Sequence, residues 1–302
     1  MKNRGGVFGY YKRKISKLYP AYLFSFLMSL PLAFLQNGEK IENFLNYKWG
    51  VAFFTKLFLL DSYFPQGEMV FFFNGLSWFL SSLCFFYLII PVIWNWIERR
   101  KWKQNIYEWF LIGIFICGIV IGIDLLVQGD SVDYSVAWWY IYISPYYRVL
   151  QCLFGFCFGM VFLQIKDYMD KHRIKGEKVL FTILEAVVIY AEIIIVYGKI
   201  ADANGIKCIG HIFLLIVLGM RKGLISEFLS LKFFVRIGKL NLYIYLFHLL
   251  ILNYFYILVG GPISKYNKDS WLMMYLLFLI ICVAETLDKY FSRRKIDLKS
   301  EK

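Results

Sequence analysis

The chain is 302 residues long, 60% hydrophobic and 21% aromatic, and only 18% of it is charged; its mean hydropathy is +0.57. Soluble domains run nearer half apolar and a quarter charged, so this composition excludes one and calls for an all-α, polytopic membrane helix bundle. The net charge of +13 would suggest nucleic acid in a soluble chain. Here the basic residues cluster between apolar runs, where they orient a protein in the bilayer, and nucleic acid is not an expected partner.

The basic segment 1–17 leads into a first apolar run, 18–36, that is too long for a signal-peptide core and lacks a cleavage site. Pro20 is expected in the first turn of this span, where a missing N–H costs little, and Pro31 is expected to kink it. Residues 49–64 are apolar but hold Lys56 and Asp61, the pattern of an interfacial or re-entrant helix. Further spans are expected at 76–97, 107–127, 144–165, 179–200, 206–220, 240–259 and 271–289, followed by a basic tail at 290–302. Pro91, inside 76–97, leaves the Tyr87 carbonyl without its donor, which a bilayer tolerates only where neighbouring helices or water supply one. Ser144-Pro145 reads as an N-cap followed by proline at the first helical position, and Gly260-Gly261-Pro262 ends the run 240–259. The result is about eight transmembrane helices in a single membrane domain over 1–302. With the N-terminus inside, 26 of the 34 basic residues fall on the inner side and seven on the outer side, so both termini are expected in the cytoplasm.

Ionisable groups inside a bilayer are costly, so each is a candidate for function. Arg148 lies near the outer end of 144–165, either snorkelling to head groups or facing a polar cavity where it holds a substrate anion or a glutamate. Glu185 and Glu192 are seven residues apart and share a helix face, which points to an internal pair or a water-filled cavity. Arg148 and Glu192 differ in expected depth by about 7 Å at 1.5 Å per residue, so they are expected to pair or to share that cavity. His248 sits inside 240–259, where it is a structural hydrogen-bonding group or a base. His211 is expected to be structural and His172 to be a solvated loop residue. None of the six cysteines is spaced as a zinc site or a disulfide framework, and no metal is expected.

Four stretches resemble a known family. Tyr11-Lys12-Arg13-Lys14-Ile15-Ser16-Lys17-Leu18-Tyr19-Pro20-Ala21-Tyr22 is similar to K-R-x-x-R-x-Y-P-x-Y, and Asn74-Gly75-Leu76-Ser77-Trp78-Phe79-Leu80-Ser81 with Phe86-Tyr87 and Pro91 to W-x-L-S…F-Y-L…P. Ser144-Pro145-Tyr146-Tyr147-Arg148-Val149-Leu150-Gln151 with Gly155 and Gly159 resembles R-x-x-E-x-x-x-G, with Gln151 in place of the glutamate. The segment 237–248 resembles L-G-K-x-S-Y-x-x-Y-L-x-H, with Asn241 in place of the serine and His248 at its end. Together they resemble the membrane-bound acyltransferase family three, the sugar O-acyltransferases. The resemblance implies acetyl-CoA as acyl donor on the cytoplasmic side, and a hydroxyl of a cell-surface polysaccharide or glycolipid as acceptor at the outer face. It implies His248 as the remaining catalytic base, with Arg148, Glu192, Tyr245, Trp78 and Asn74 around the acceptor. Lys12, Arg13 and Lys17 suit the phosphates of coenzyme A, and suit anionic lipid head groups equally well.

Two features depart from that family. Its leading helix carries an arginine followed by a histidine held to be central to acyl transfer, whereas no histidine precedes His172 here. The glutamate that often follows W-x-L-S is absent around Leu83. The chain is therefore expected to lack the family's first two spans, through truncation or a misassigned start, and to transfer acyl groups poorly or not at all. A transporter or flippase of a lipid-linked sugar and a non-catalytic remnant are the alternatives, although the internal repeats common in transporters are not found. A multi-pass protein of a bacterial plasma membrane, in contact with membrane lipids, fits each reading. Reporter fusions after Asp133 and after Lys171 should read outside and inside respectively; the reverse pattern overturns this topology.

Overall fold

The structure, a computed structural model, describes residues 6–37, 47–65, 70–100, 105–127, 135–172, 175–197, 204–259 and 270–300. The regular elements among them are eleven helices: α1 (Gly6–Asn37), α2 (Tyr47–Leu57), α3 (Ser77–Arg100), α4 (Ile106–Val127), α5 (Val136–Tyr142), α6 (Pro145–Lys171), α7 (Glu177–Tyr197), α8 (Asn204–Gly219), α9 (Leu224–Leu229), α10 (Lys232–Val259) and α11 (Ser270–Ser300). Among the described residues seven helical segments are long and apolar enough, by length and composition, to cross a membrane. The eighth expected span is α8, which has 16 residues, about 24 Å at 1.5 Å per residue and short of a hydrocarbon core of roughly 30 Å. The stop at Gly260-Gly261-Pro262 and Asp133 lie outside the described residues.

Two boundaries differ from the sequence reading. Helix α1 begins at Gly6, so Pro20 is mid-helix and not in a first turn. The basic segment before it is rich in lysine, arginine and tyrosine with no breaker after Gly9, so it continues the helix into the apolar run. Helix α10 begins at Lys232, eight residues before the apolar stretch, because its first turns are anchored by charge. Arg236 there is bidentate to Glu285, with Nε to Oε2 at 2.8 Å and Nη2 to Oε1 at 2.8 Å, and reaches Asp288 at 2.9 Å.

The chain forms two compact units. The first comprises residues 1–87 and 236–302. Its core repeats at helical spacing: Leu18, Tyr22 and Phe26 on α1 meet Leu240, Tyr243, Leu246 and Leu250 on α10. Between spans in lipid, apolar packing brings little net gain over lipid contact, so polar contacts fix the arrangement. Here they converge on Lys56, at the end of the 11-residue α2. Its side chain is 0% exposed and its ammonium donates to Asp61 Oδ2 at 3.1 Å, Val70 O at 2.7 Å, Asn74 O at 3.3 Å and Ser77 Oγ at 2.6 Å. Ser77 in turn donates to Asp61 Oδ2 at 2.7 Å. Burial pulls the Lys56 ammonium below the ordinary lysine value, and Asp61 opposes that pull.

The same segment is tied to α1 and α3. Tyr22 and Tyr19 donate to the last carbonyls of α2, Lys56 O at 2.6 Å and Leu57 O at 2.8 Å, which a helix end leaves without partners. Ser81 donates to Leu59 O at 2.7 Å and its hydroxyl meets that of Ser62 at 2.7 Å. Leu59 and Phe73, which flank this segment, hold the left-handed backbone at φ 56° and 59°. A non-glycine residue adopts that conformation only where its surroundings over-determine it. Residues 49–64 are thus a short helix followed by a pinned turn, and not a span.

The second unit comprises residues 88–235. On α4 the buried residues Trp109, Gly113, Cys117, Val120 and Asp124 form one stripe that packs against Phe154, Cys157 and Val161 of α6. A Cβ on Gly113 would collide with the Phe158 ring, so glycine sets how closely the two helices approach. Helix α7 packs along α8. The outward faces are apolar, as at Phe115 and Val187, in keeping with a lipid-facing bundle.

Removing either partner of the Lys56–Asp61 pair leaves a lone buried charge, which typically costs about 3–5 kcal/mol. Lys56→Met or Asp61→Asn alone should lower the melting temperature in detergent sharply, and the double variant Lys56→Met/Asp61→Leu should recover part of that loss. Losses that simply add would show that the pairing is not the cause.

Candidate functional site

The first unit carries the segment that ends in His248. Its imidazole is half-buried, and its Nδ1 lies 3.0 Å from Ile244 O and 2.9 Å from Tyr245 O. Carbonyl oxygens only accept, so Nδ1 carries the hydrogen, and in the neutral ring Nε2 holds the lone pair. Tyr245 donates to Leu76 O at 3.0 Å, and its ring meets Phe79. Asn74 Nδ2 donates to Ser25 Oγ at 3.3 Å and to Leu246 O at 3.2 Å. Asn74, Tyr245 and His248 are therefore brought together around the start of α3. Trp78 is half-buried next to Phe79. Because α10 begins at Lys232, His248 lies about 24 Å along the helix from its charged end. Lys12, Arg13 and Lys17 are exposed on the early turns of α1.

The second unit holds a polar cavity of about 390 Å³, lined by Arg148, Gln151, Phe154 and Gly155 of α6 and by Lys207, Cys208, His211 and Ile212 of α8. Ser144 caps α6 as expected, accepting from Tyr146 N at 3.2 Å with Pro145 following, and this places Arg148 in the first turn. Arg148 donates from Nε and Nη2 to Tyr142 O, at 2.9 and 2.5 Å, and from Nη1 to Gln151 Oε1 at 2.7 Å. The carboxylate of Glu192 makes its ion pair with His211 Nδ1 at 2.7 Å and not with Arg148. The expected Arg148–Glu192 pair or shared cavity is therefore not found: Glu192 pairs with His211 and is not part of the lining. His211 Nδ1 also meets Lys207 O at 2.6 Å. Both of its contacts are acceptors, so Nε2 again has the free lone pair.

Glu185 and Glu192 do share a face, and each is bonded through one oxygen to a different element, whereas Glu185 Oε1 and Glu192 Oε2 are buried without a hydrogen-bond partner among the described residues. Glu185, 0% exposed, accepts from Ile225 N at 2.9 Å and Ser226 N at 3.2 Å at the start of α9. A Cβ on Gly223 would strike the Glu185 carboxylate, and one on Gly210 would strike that of Glu192, so each glycine makes room for a carboxylate. His172 caps the end of α6 and stacks on Tyr168. Among the described residues no group of three His, Cys, Asp or Glu side chains is placed to hold a metal.

Sequence reasoning missed Asp124 and undervalued His211. Asp124, 1% exposed, accepts from the Tyr147 hydroxyl at 2.5 Å and from Gly205 N at 2.7 Å, joining α4, α6 and α8. Its signal was register, because it continues the stripe Trp109, Gly113, Cys117, Val120. Lys207 and His211 carried a similar signal, one helical turn apart on a short apolar helix.

The family model described as an acyltransferase domain, that of acyltransferase family 3, matches residues 1–286. No curated protein and no solved structure matches the chain. Gly210→Ala should push Glu192 off His211 and lower the melting temperature, whereas Gly118→Ala, whose added carbon meets open space, should leave it within about 2 °C or raise it. Equal behaviour of the two variants would show that the close approach at Gly210 is not needed.

Proposed function

We propose, because the chain belongs to acyltransferase family 3, that this membrane protein moves an acetyl group from acetyl-CoA to a hydroxyl of a cell-surface polysaccharide or glycolipid, in a bacterial plasma membrane. The family match carries this reading. The exposed Lys12, Arg13 and Lys17 on α1 suit the phosphates of coenzyme A. His248 serves as base: Nε2 takes the proton of the acceptor hydroxyl as its oxygen attacks the thioester carbonyl. The carbon–sulfur bond then breaks, and the coenzyme A thiolate leaves and takes up the proton from the imidazolium. What supports His248 is its Nδ1, held by two backbone carbonyls so that Nε2 keeps its lone pair. Asn74, Tyr245 and Trp78 lie around the same turn and would line the path of the sugar.

One observation favours a second placement of the base. His211 lines a cavity and has a carboxylate, Glu192, on its Nδ1 at 2.7 Å, an arrangement that orients an imidazole. Acetyl transfer from labelled acetyl-CoA to surface glycan, measured in membranes, separates the two. With His248 as base, His248→Ala should lower the rate by about 10²–10⁴-fold, and His211→Ala should leave most of it. The opposite result moves the base to the second unit. No transfer from acetyl-CoA by the unaltered protein, or transfer indifferent to both substitutions, overturns the proposal.

A further inference from the structure

Two helices of the first unit enclose a groove that neither of them fills. Pro20, Leu23, Phe24 and Leu27 of α1 line one side and Leu287 and Tyr290 of α11 the other, around a space of about 480 Å³. That volume is in the range of small-ligand sites. The floor is aromatic. Phe24 meets Phe291 edge-on at 6.3 Å, and Phe247 and Tyr243 of α10 back these two rings at 5.8 and 6.2 Å. Such ring pairs are favoured contacts, so the floor is held in place. The wall offers little to a polar ligand: the Thr286 hydroxyl donates to Cys282 O of its own helix at 2.9 Å, and Pro20 has no N–H. Basic residues border the groove on both helices. Arg13 and Lys17 precede Pro20 and Phe24 by seven residues, so they continue the face that lines it. The chain has no acidic residue before Glu39. On α11, Arg293, Arg294 and Lys295 follow shortly after Phe291, and residues 292–302 hold five basic residues against Asp297 and Glu301. Glu285 and Asp288 are matched by Arg236 and Lys289. Every acidic residue of 1–38 and 270–302 is in that count, and the excess is positive.

We propose that this groove holds one acyl chain of an anionic phospholipid, with the head-group phosphate against the basic residues of its border. The apolar wall selects the chain, and the positive excess selects the head group. Pro20 to Leu27 covers about 10 Å of α1 at 1.5 Å per residue, so the groove takes part of a chain and leaves the rest in the bilayer. A zwitterionic lipid of the same chains would gain the wall and not the charge. The inference is independent of the acyl-transfer reading, because it concerns lipid retained by the resting protein.

The test is native mass spectrometry of the purified full chain in detergent, titrated with dioleoyl phosphatidylglycerol or with dioleoyl phosphatidylcholine. The two lipids have the same chains, and only the first has a net charge. Phosphatidylglycerol should bind at least about tenfold more tightly than phosphatidylcholine, and more weakly as salt rises. Leu27→Trp, which puts an indole into the groove from an exposed position, should weaken that binding by about tenfold or more. Leu111→Trp, at an exposed position on α4, should leave it unchanged. Tyr290→Ala removes one wall at an exposed position and should also weaken binding; it carries the test where Leu27→Trp does not fold. Lys17→Glu, on the exposed border of the groove, should cut the preference for phosphatidylglycerol several-fold. Equal binding of the two lipids, or no lipid bound, overturns the proposal. So does binding that is indifferent to Leu27→Trp and Tyr290→Ala, which would be attraction to surface charge alone, or an equal loss in Leu111→Trp. A long-chain acyl-CoA that displaces the lipid at lower concentration than the lipid itself needs assigns the groove to a different occupant and overturns it as well.

Discussion

The buried ion pair between Lys56 and Asp61 is the interaction on which the first unit depends. A lone ammonium in this position would be intolerable, and the pair alone would be poorly compensated for the loss of water. Three further acceptors, Val70 O, Asn74 O and Ser77 Oγ, complete the shell around Nζ. One consequence is mechanical, because a chain that must supply those atoms at those places has little freedom. The segment from α2 to the start of α3 is held through two left-handed residues, Leu59 and Phe73. It is held from outside as well, by Tyr19 and Tyr22 of α1 and by Tyr245 of α10.

This gives a physical meaning to three of the four stretches that resemble the family. Tyr19 and Tyr22, from the first, cap α2. Asn74, Ser77 and Ser81, from the second, bond Leu246 O, Asp61 and Leu59 O. Tyr245, from the last, closes on Leu76 O and sits one turn before His248. Residues far apart in the chain thus serve one clamp, and the imidazole proposed as base hangs from it. A substitution in any of the three could impair chemistry without touching a substrate, so loss of activity alone does not identify a binding residue among them. The fourth stretch is different in kind: Arg148, Gln151 and Gly155 line a cavity.

The sequence was most informative where one rule acted alone. Length and apolarity located the spans, and Ser144-Pro145 located the start of α6, because capping and proline geometry are local. It was less informative wherever a polar side chain had more than one reachable partner. Glu185 and Glu192 share a face as expected, yet the partner of one is a pair of backbone amides at the start of α9 and that of the other a histidine on α8. Spacing along α7 gives the face and says nothing of what packs on it. Lys56 and Asp61 read as marks of an interfacial helix because two charges in an apolar run usually seek water. That they instead find each other depends on a turn between them, whose left-handed residue is a leucine and carries no turn signature. Asp124 was legible in register but was outweighed by the apolarity of its span.

The two imidazoles illustrate how context decides what a histidine can do. Each has its Nδ1 on acceptors and its Nε2 with a free lone pair, so tautomer does not separate them. The second contact does. At His248 the acceptors are neutral carbonyls of its own helix, which fix the ring's orientation. At His211 one acceptor is a carboxylate on the neighbouring helix α7. His248 is thus oriented from within its own helix, and His211 both from its own helix and from a neighbouring one.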